Sequence, residues 1–96
     1  VGGKAAVELG KRLARLARNA QVIVVTHLAQ VASWADAQFV VSKESQGVGD
    51  ETAGVATTVL EVRDDQRVHE IARMLSGSES EASLDHAREL LKDFAL

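Results

Sequence analysis

The run Val22-Ile23-Val24-Val25 sets four β-branched residues in succession with no polar alternation, and Thr26-His27 follows directly. Branching at Cβ favours extended backbone, and a strand apolar on both faces belongs inside a parallel sheet covered by helices. The run therefore predicts an α/β fold, with residues 26 and 27 at the carboxyl end of a buried strand. In open α/β sheets that is where ligands gather. A neutral imidazole there donates or accepts a hydrogen bond to a polar ligand, and a protonated one adds charge. On the residues alone, His27 reads equally as a ligand contact or as a structural group capping its loop through a backbone hydrogen bond. A buried strand would also make Val24→Ala a core substitution, costing roughly 1 to 3 kcal/mol.

The sequence around this run supplies helices and a hairpin. Between Lys4 and Arg18, the residues Ala6, Leu9, Leu13, Leu16 and Ala17 recur at spacings of three and four, which predicts an amphipathic helix. A short helix is expected around Gln30 to Ala35, and a second strand at Phe39-Val40-Val41. A third strand over Thr57 to Arg63 should pair antiparallel with residues 38–43. The connection at 44–56, ESQGVGDETAGVA, has little apolar periodicity and is expected to be a surface loop. Val68, Ile71, Ala72 and Leu75 outline a helix that Gly77 can end as a left-handed cap. The last helix, roughly Glu81 to Phe94, follows serines suited to capping and should bury Leu84, Ala87, Leu90 and Leu91. The predicted order is α-β-(α)-β-β-α-α. Ninety-six residues suit one small domain. The opening VGGKAAVELG reads as a loop entering a helix, so residues 1–96 are expected to form a single partial domain.

Composition narrows the function classes. Hydrophobic residues make up 46% and charged residues 26%, and no apolar run approaches the roughly 20 residues a membrane span needs. A cytoplasmic protein without a membrane partner is the expectation. The absence of cysteine excludes disulfides, thiolate zinc sites and a cysteine nucleophile. Charge is unevenly spread: residues 1–20 carry Lys4, Lys11, Arg12, Arg15 and Arg18 against Glu8. That segment is +4, which leaves −7 for the remainder of a chain whose net charge is −3. A basic helix can meet phosphates. A solvated face whose later cations suit the negative end of the helix dipole accounts for the same pattern.

Three familiar motifs are approached and missed. Gly2-Gly3-Lys4 resembles the end of a phosphate-binding loop, but Ala5 stands where a magnesium-binding Ser or Thr is needed. His69-Glu70 could open a zinc-protease helix, yet the position of the second histidine is Arg73. His86 and Glu89 fall on the solvent side of the last helix, and no nucleophile elbow supports a serine triad.

Beyond these, QVIVVTHLAQVASWAD, FVVSKE and RVHEIARMLSGSESEASLDHARELL closely resemble the C-terminal end of the RecN family of bacterial DNA repair proteins. The opening VGGKAAVELGKRLARLA is similar to the family's segment just after its Walker B acids. The family is an SMC-like branch of the ABC ATPases, whose head is assembled from both ends of the chain around a long antiparallel coiled coil. The resemblance implies the C-terminal lobe of such a P-loop ATPase head, a short sheet flanked by helices. By it, Gly2 and Gly3 end the D-loop at the interface of two heads, and His27 is the H-loop histidine that reaches the γ-phosphate of ATP. It further implies ATP and Mg2+ in the complete head, none held by this chain alone. The implied partners are the N-terminal lobe, a second head and DNA, in a nucleoid-associated bacterial protein. Ala29 stands where the family commonly has proline, which removes loop rigidity but no chemical group. A non-catalytic interaction module with a structural histidine is the alternative.

Overall fold

The computed structural model describes residues 2–45 and 54–94. Helix α1 (Gly3–Leu16) and the one-turn helix α2 (Ala29–Ala32) precede a hairpin of β1 (Gln38–Ser45) and β2 (Val55–Val62), and helices α3 (Asp64–Ser76) and α4 (Glu81–Asp93) follow. The middle of the loop expected at 44–56 lies outside the described residues; its two ends extend the strands. β1 and β2 pair antiparallel, in a register that sets Phe39 opposite Glu61 and Val41 opposite Val59. This is the pairing the alternation in residues 57–63 predicted.

The strand expected at residues 22–25 does not form. Residues 21–26 belong to no helix or strand, and the only sheet among the described residues is the β1-β2 hairpin. Ile23 is 84% exposed and Val25 100%. The physical reason is the one that made the run informative: a strand apolar on both faces needs a hydrogen-bonding neighbour and a helix on each side, and the described residues offer it neither.

Packing is concentrated at the helical end. Ile71 and Ala72 of α3 meet Leu84 and Ala87 of α4 and Ala29 and Ala32 of α2, with Val68, Met74, Leu75, Leu90 and Leu91 around them. Val68, Ile71, Ala72, Leu75, Leu84, Ala87, Leu90 and Leu91 are positions the helical periodicities selected; Ala29, Ala32 and Met74 are additions the structure makes. Helix α3 opens directly on the end of β2 because Asp64 takes a left-handed φ of 51°, which a short polar side chain tolerates. It closes at Gly77, whose φ of 73° is the left-handed cap expected there, with its N–H donating to Arg73 O at 2.7 Å. Ser80 then caps α4, its Oγ accepting from the Ser83 N–H at 3.3 Å. The radius of gyration is 15.5 Å, against about 12.5 Å for a compact domain of this length.

Candidate functional site: the Thr26-His27 turn

The residues after His27 are firmly anchored. Thr26 Oγ1 accepts a hydrogen bond from the Leu28 N–H at 3.0 Å, folding the chain into a tight bend with His27 at its tip. Leu28 O in turn accepts from the N–H groups of Val31 and Ala32, at 3.0 Å each, which starts α2. Ser33 Oγ donates back to Ala29 O at 2.7 Å, closing the same turn from its other end. Ala29, Val31, Ala32 and Ser33 are all buried. The His27 ring is exposed and forms no hydrogen bond among the described residues. Thr26, not the imidazole, caps the loop, so the histidine is left to face outward.

Two contacts hold α2 in place. On one side lies Gly10 in the middle of α1, an unfavourable residue for a helix interior unless something must come close. Something does: a Cβ at position 10 would overlap the Trp34 ring at Cδ1 and lie 3.0 Å from Gln30 O. The Trp34 ring continues into a stack with Phe94, with centroids 4.7 Å apart and planes 10° apart. On the other side Arg67 reaches across from α3. Its guanidinium donates to Ala32 O at 3.1 Å and Ala35 O at 2.8 Å, carbonyls at the end of α2, and to Gln38 Oε1 at 3.1 Å on β1. Burial pushes the Arg67 pKa below its usual value, with the nearby Asp36 charge opposing that shift.

Neither Gly10 nor Arg67 was singled out from the sequence. A mid-helix glycine flanked by periodic leucines was the available signal for the first. For the second it was the position of Arg67 four residues before Ile71, on the buried side of its helix.

Gly2 and Gly3 are exposed at the start of α1, where the Ala6 N–H donates to Gly2 O at 3.0 Å and no side chain caps the helix. No hydrogen bond or ion pair among the described residues joins them to His27. What relates the two loops is the packing behind them, since α1 and α2 meet through Gly10. A surface concavity lined by Trp34, Phe94, Arg18, Asp36 and Arg67, and another beneath the hairpin, include none of these three residues.

The other histidines are accounted for separately. His69 Nδ1 lies 2.6 Å from Glu79 Oε1, and Nε2 3.6 Å from Asp65 Oδ2. The neighbouring Glu70 is taken by Arg73, the residue that breaks the zinc-protease pattern. His86 and Glu89 are exposed on α4, as the helical spacing indicated. Among the described residues no three carboxylate or imidazole groups converge as a metal site would require, and no helix is long and apolar enough to cross a membrane.

No family model matches the chain. It is 55% identical over 93 residues to the DNA repair protein RecN of Streptomyces coelicolor. It is 50% identical over 93 residues to that of Mycobacterium tuberculosis, and 48% over 94 to that of Deinococcus radiodurans. These alignments take in 95 to 96% of this chain but only 15% of each relative, so the chain spans about one seventh of the proteins it matches. Along almost all of its own length, the chain is similar to part of the DNA repair protein RecN.

Proposed function

We propose that the chain is the C-terminal lobe of the ATP-binding head of a RecN-type protein acting in recombinational repair of DNA double-strand breaks. The observation that carries this reading is the contrast within residues 22–27. An exposed β-branched run, with no strand beside it among the described residues, ends at an exposed, unbonded histidine on a braced turn. In the complete head, the run would enter a parallel sheet contributed largely by the N-terminal lobe of the same protein. His27 would then stand at a strand end facing the nucleotide.

His27 fits a contact to the γ-phosphate of ATP. Its ring is free to present an N–H, and the Thr26-Leu28 hydrogen bond limits how far the loop must reorganise. Gly2 and Gly3, open to solvent at the start of α1, would take the D-loop position between two heads. Bound magnesium would supply neutralisation of phosphate charge during transfer. The donor groups among the described residues do not gather into a site for it, so it would be held by the rest of the head. A protein of this kind works in the bacterial cytoplasm on the nucleoid, bridging or clamping DNA with a second head.

The decisive measurement is ATP turnover against ATP affinity in the full-length protein. His27→Ala should lower the hydrolysis rate at least tenfold, as loss of one well-placed electrostatic contact does, and change ATP affinity much less. An unchanged rate would return His27 to a structural role and the chain to an interaction module.

A further inference from the structure

We infer that the solvent face of α1 is a contact surface for the phosphate backbone of duplex DNA. At 100° per residue, Lys4, Lys11 and Arg15 fall within about 40° of one another around the helix, with Arg12 and Arg18 beside them. Ala6 and Gly10 are buried on the opposite side, so packing against α2 turns this stripe outward. Lys4, Arg12, Arg15 and Arg18 are exposed and Lys11 is half-buried.

Among the described residues the arginines elsewhere in the chain are already engaged, while Lys43 and Lys92 stand apart from one another on β1 and α4. Arg63 pairs with Glu61, Arg73 with Glu70 and Arg88 with Asp85, while Arg67 is spent on carbonyls. Among the described residues the five cations of the first twenty positions take part in no ion pair. The +4 of this segment faces −7 on the remainder of the chain, so the field steers a polyanion to α1 and away from the rest.

The dimensions suit a DNA strand. From Lys4 to Arg15 is about 16 Å along the helix axis, a distance over which one strand of B-DNA presents about five phosphates. α1 carries no Asn or Gln, the side chains that read adenine in the major groove. The stripe's own Arg and Lys can bind either phosphate or guanine, so comparing two duplexes of unrelated sequence tests whether contact is to the backbone. Glu8, exposed within the stripe, opposes it and so provides a second handle. The inference rests on the DNA repair reading but not on the nucleotide role of His27.

The test is equilibrium binding of the nucleotide-free, full-length protein to two duplexes of unrelated sequence across a salt series. Lys11→Gln combined with Arg15→Gln should reduce the slope of log K against log salt by about 2, and weaken binding roughly tenfold or more at low salt, equally for both duplexes. Glu8→Gln should strengthen binding roughly two- to fivefold, a gain that misfolding cannot imitate. Arg88→Gln on α4 should leave both quantities as they were. An unchanged slope in the double variant overturns the proposal, as does no gain from Glu8→Gln. It is also overturned if the double variant keeps its DNA affinity but loses self-association, which would make the stripe a contact for an acidic protein surface. Because nucleotide is absent, these outcomes are independent of how His27→Ala affects hydrolysis.

Discussion

His27 sits on a boundary between two stretches of similar apolar content and opposite fate. Downstream, Ala29, Val31 and Ala32 are buried within one helical turn that α1 grips through Gly10 and α3 through Arg67. Upstream, Val22 to Val25 are more hydrophobic still, yet Ile23 and Val25 are among the most exposed apolar residues of the chain. Burial here follows the availability of a partner, not the hydrophobicity of the residue. A helical turn satisfies its own backbone and needs only a surface to lie on; a strand must borrow hydrogen bonds from a neighbour before its side chains gain anything.

The sharpest way to break this comparison is to attack the packed side at its centre. Ile71 is fully buried between α2 and α4, and Ile71→Ala should cost about 2 to 5 kcal/mol through lost transfer energy and the cavity left behind. Chemical denaturation of the chain would measure it. A cost below 1 kcal/mol would mean that the helices are no better organised than the run upstream of His27.

A smaller effect tests the grip on α2. Gly10→Ala places a methyl against the Trp34 ring and near Gln30 O, a backbone atom that cannot rotate away. Overpacking of this kind costs roughly 1 to 3 kcal/mol, although alanine is the better helix former by about 1 kcal/mol. The sign of the outcome is therefore informative. Net destabilisation, with the Trp34 fluorescence altered, marks close α1-α2 approach as the anchor of the His27 turn; net stabilisation would show that the two helices are free to part.

The same contrast explains what was legible in the sequence. Helices α3 and α4 could be read from periodicity because Leu84, Ala87, Ile71 and Ala72 find their partners within the chain; α1 shows the same periodicity, yet it buries Ala6 and Gly10 while Leu9 and Leu16 stay exposed. Gly77 could be read because only its lack of a Cβ makes a φ of 73° inexpensive. The second hairpin strand could be read from alternation over residues 57–63, but its register against β1 required coordinates. The run at 22–25 suggests a strand and forms none among the described residues, because sequence specifies what a segment requires and says nothing of whether the requirement is met nearby. Arg67 escaped notice for the opposite reason: its task, satisfying Ala32 O and Ala35 O, is set by carbonyls that have no sequence signature. Of the candidate site, His27 could be singled out by its place after the apolar run; that no strand holds it, and that Thr26 Oγ1 accepts the Leu28 N–H while the imidazole stays unbonded among the described residues, required coordinates.

The smallest effect is the most discriminating. Val24 is 44% exposed and outside any strand, so in this chain Val24→Ala should change stability by less than about 0.5 kcal/mol, as surface substitutions do. The value of about 1 to 3 kcal/mol for a core strand should emerge only when the rest of the protein is present and the run gains its neighbours. Measuring the one substitution in both settings isolates the contribution of the proposed sheet, because the residue, the helices and the His27 turn are common to both. Equal, small costs would mean that the run stays unpaired in the whole protein and that His27 does not stand at a strand end. Equal, large costs would mean that residues 22–25 already pack within the chain, and the contrast across His27 would fail. A cost that appears only in the complete protein ties the position of His27 to the assembly of the head, making the histidine correctly placed only once the sheet beside it has closed.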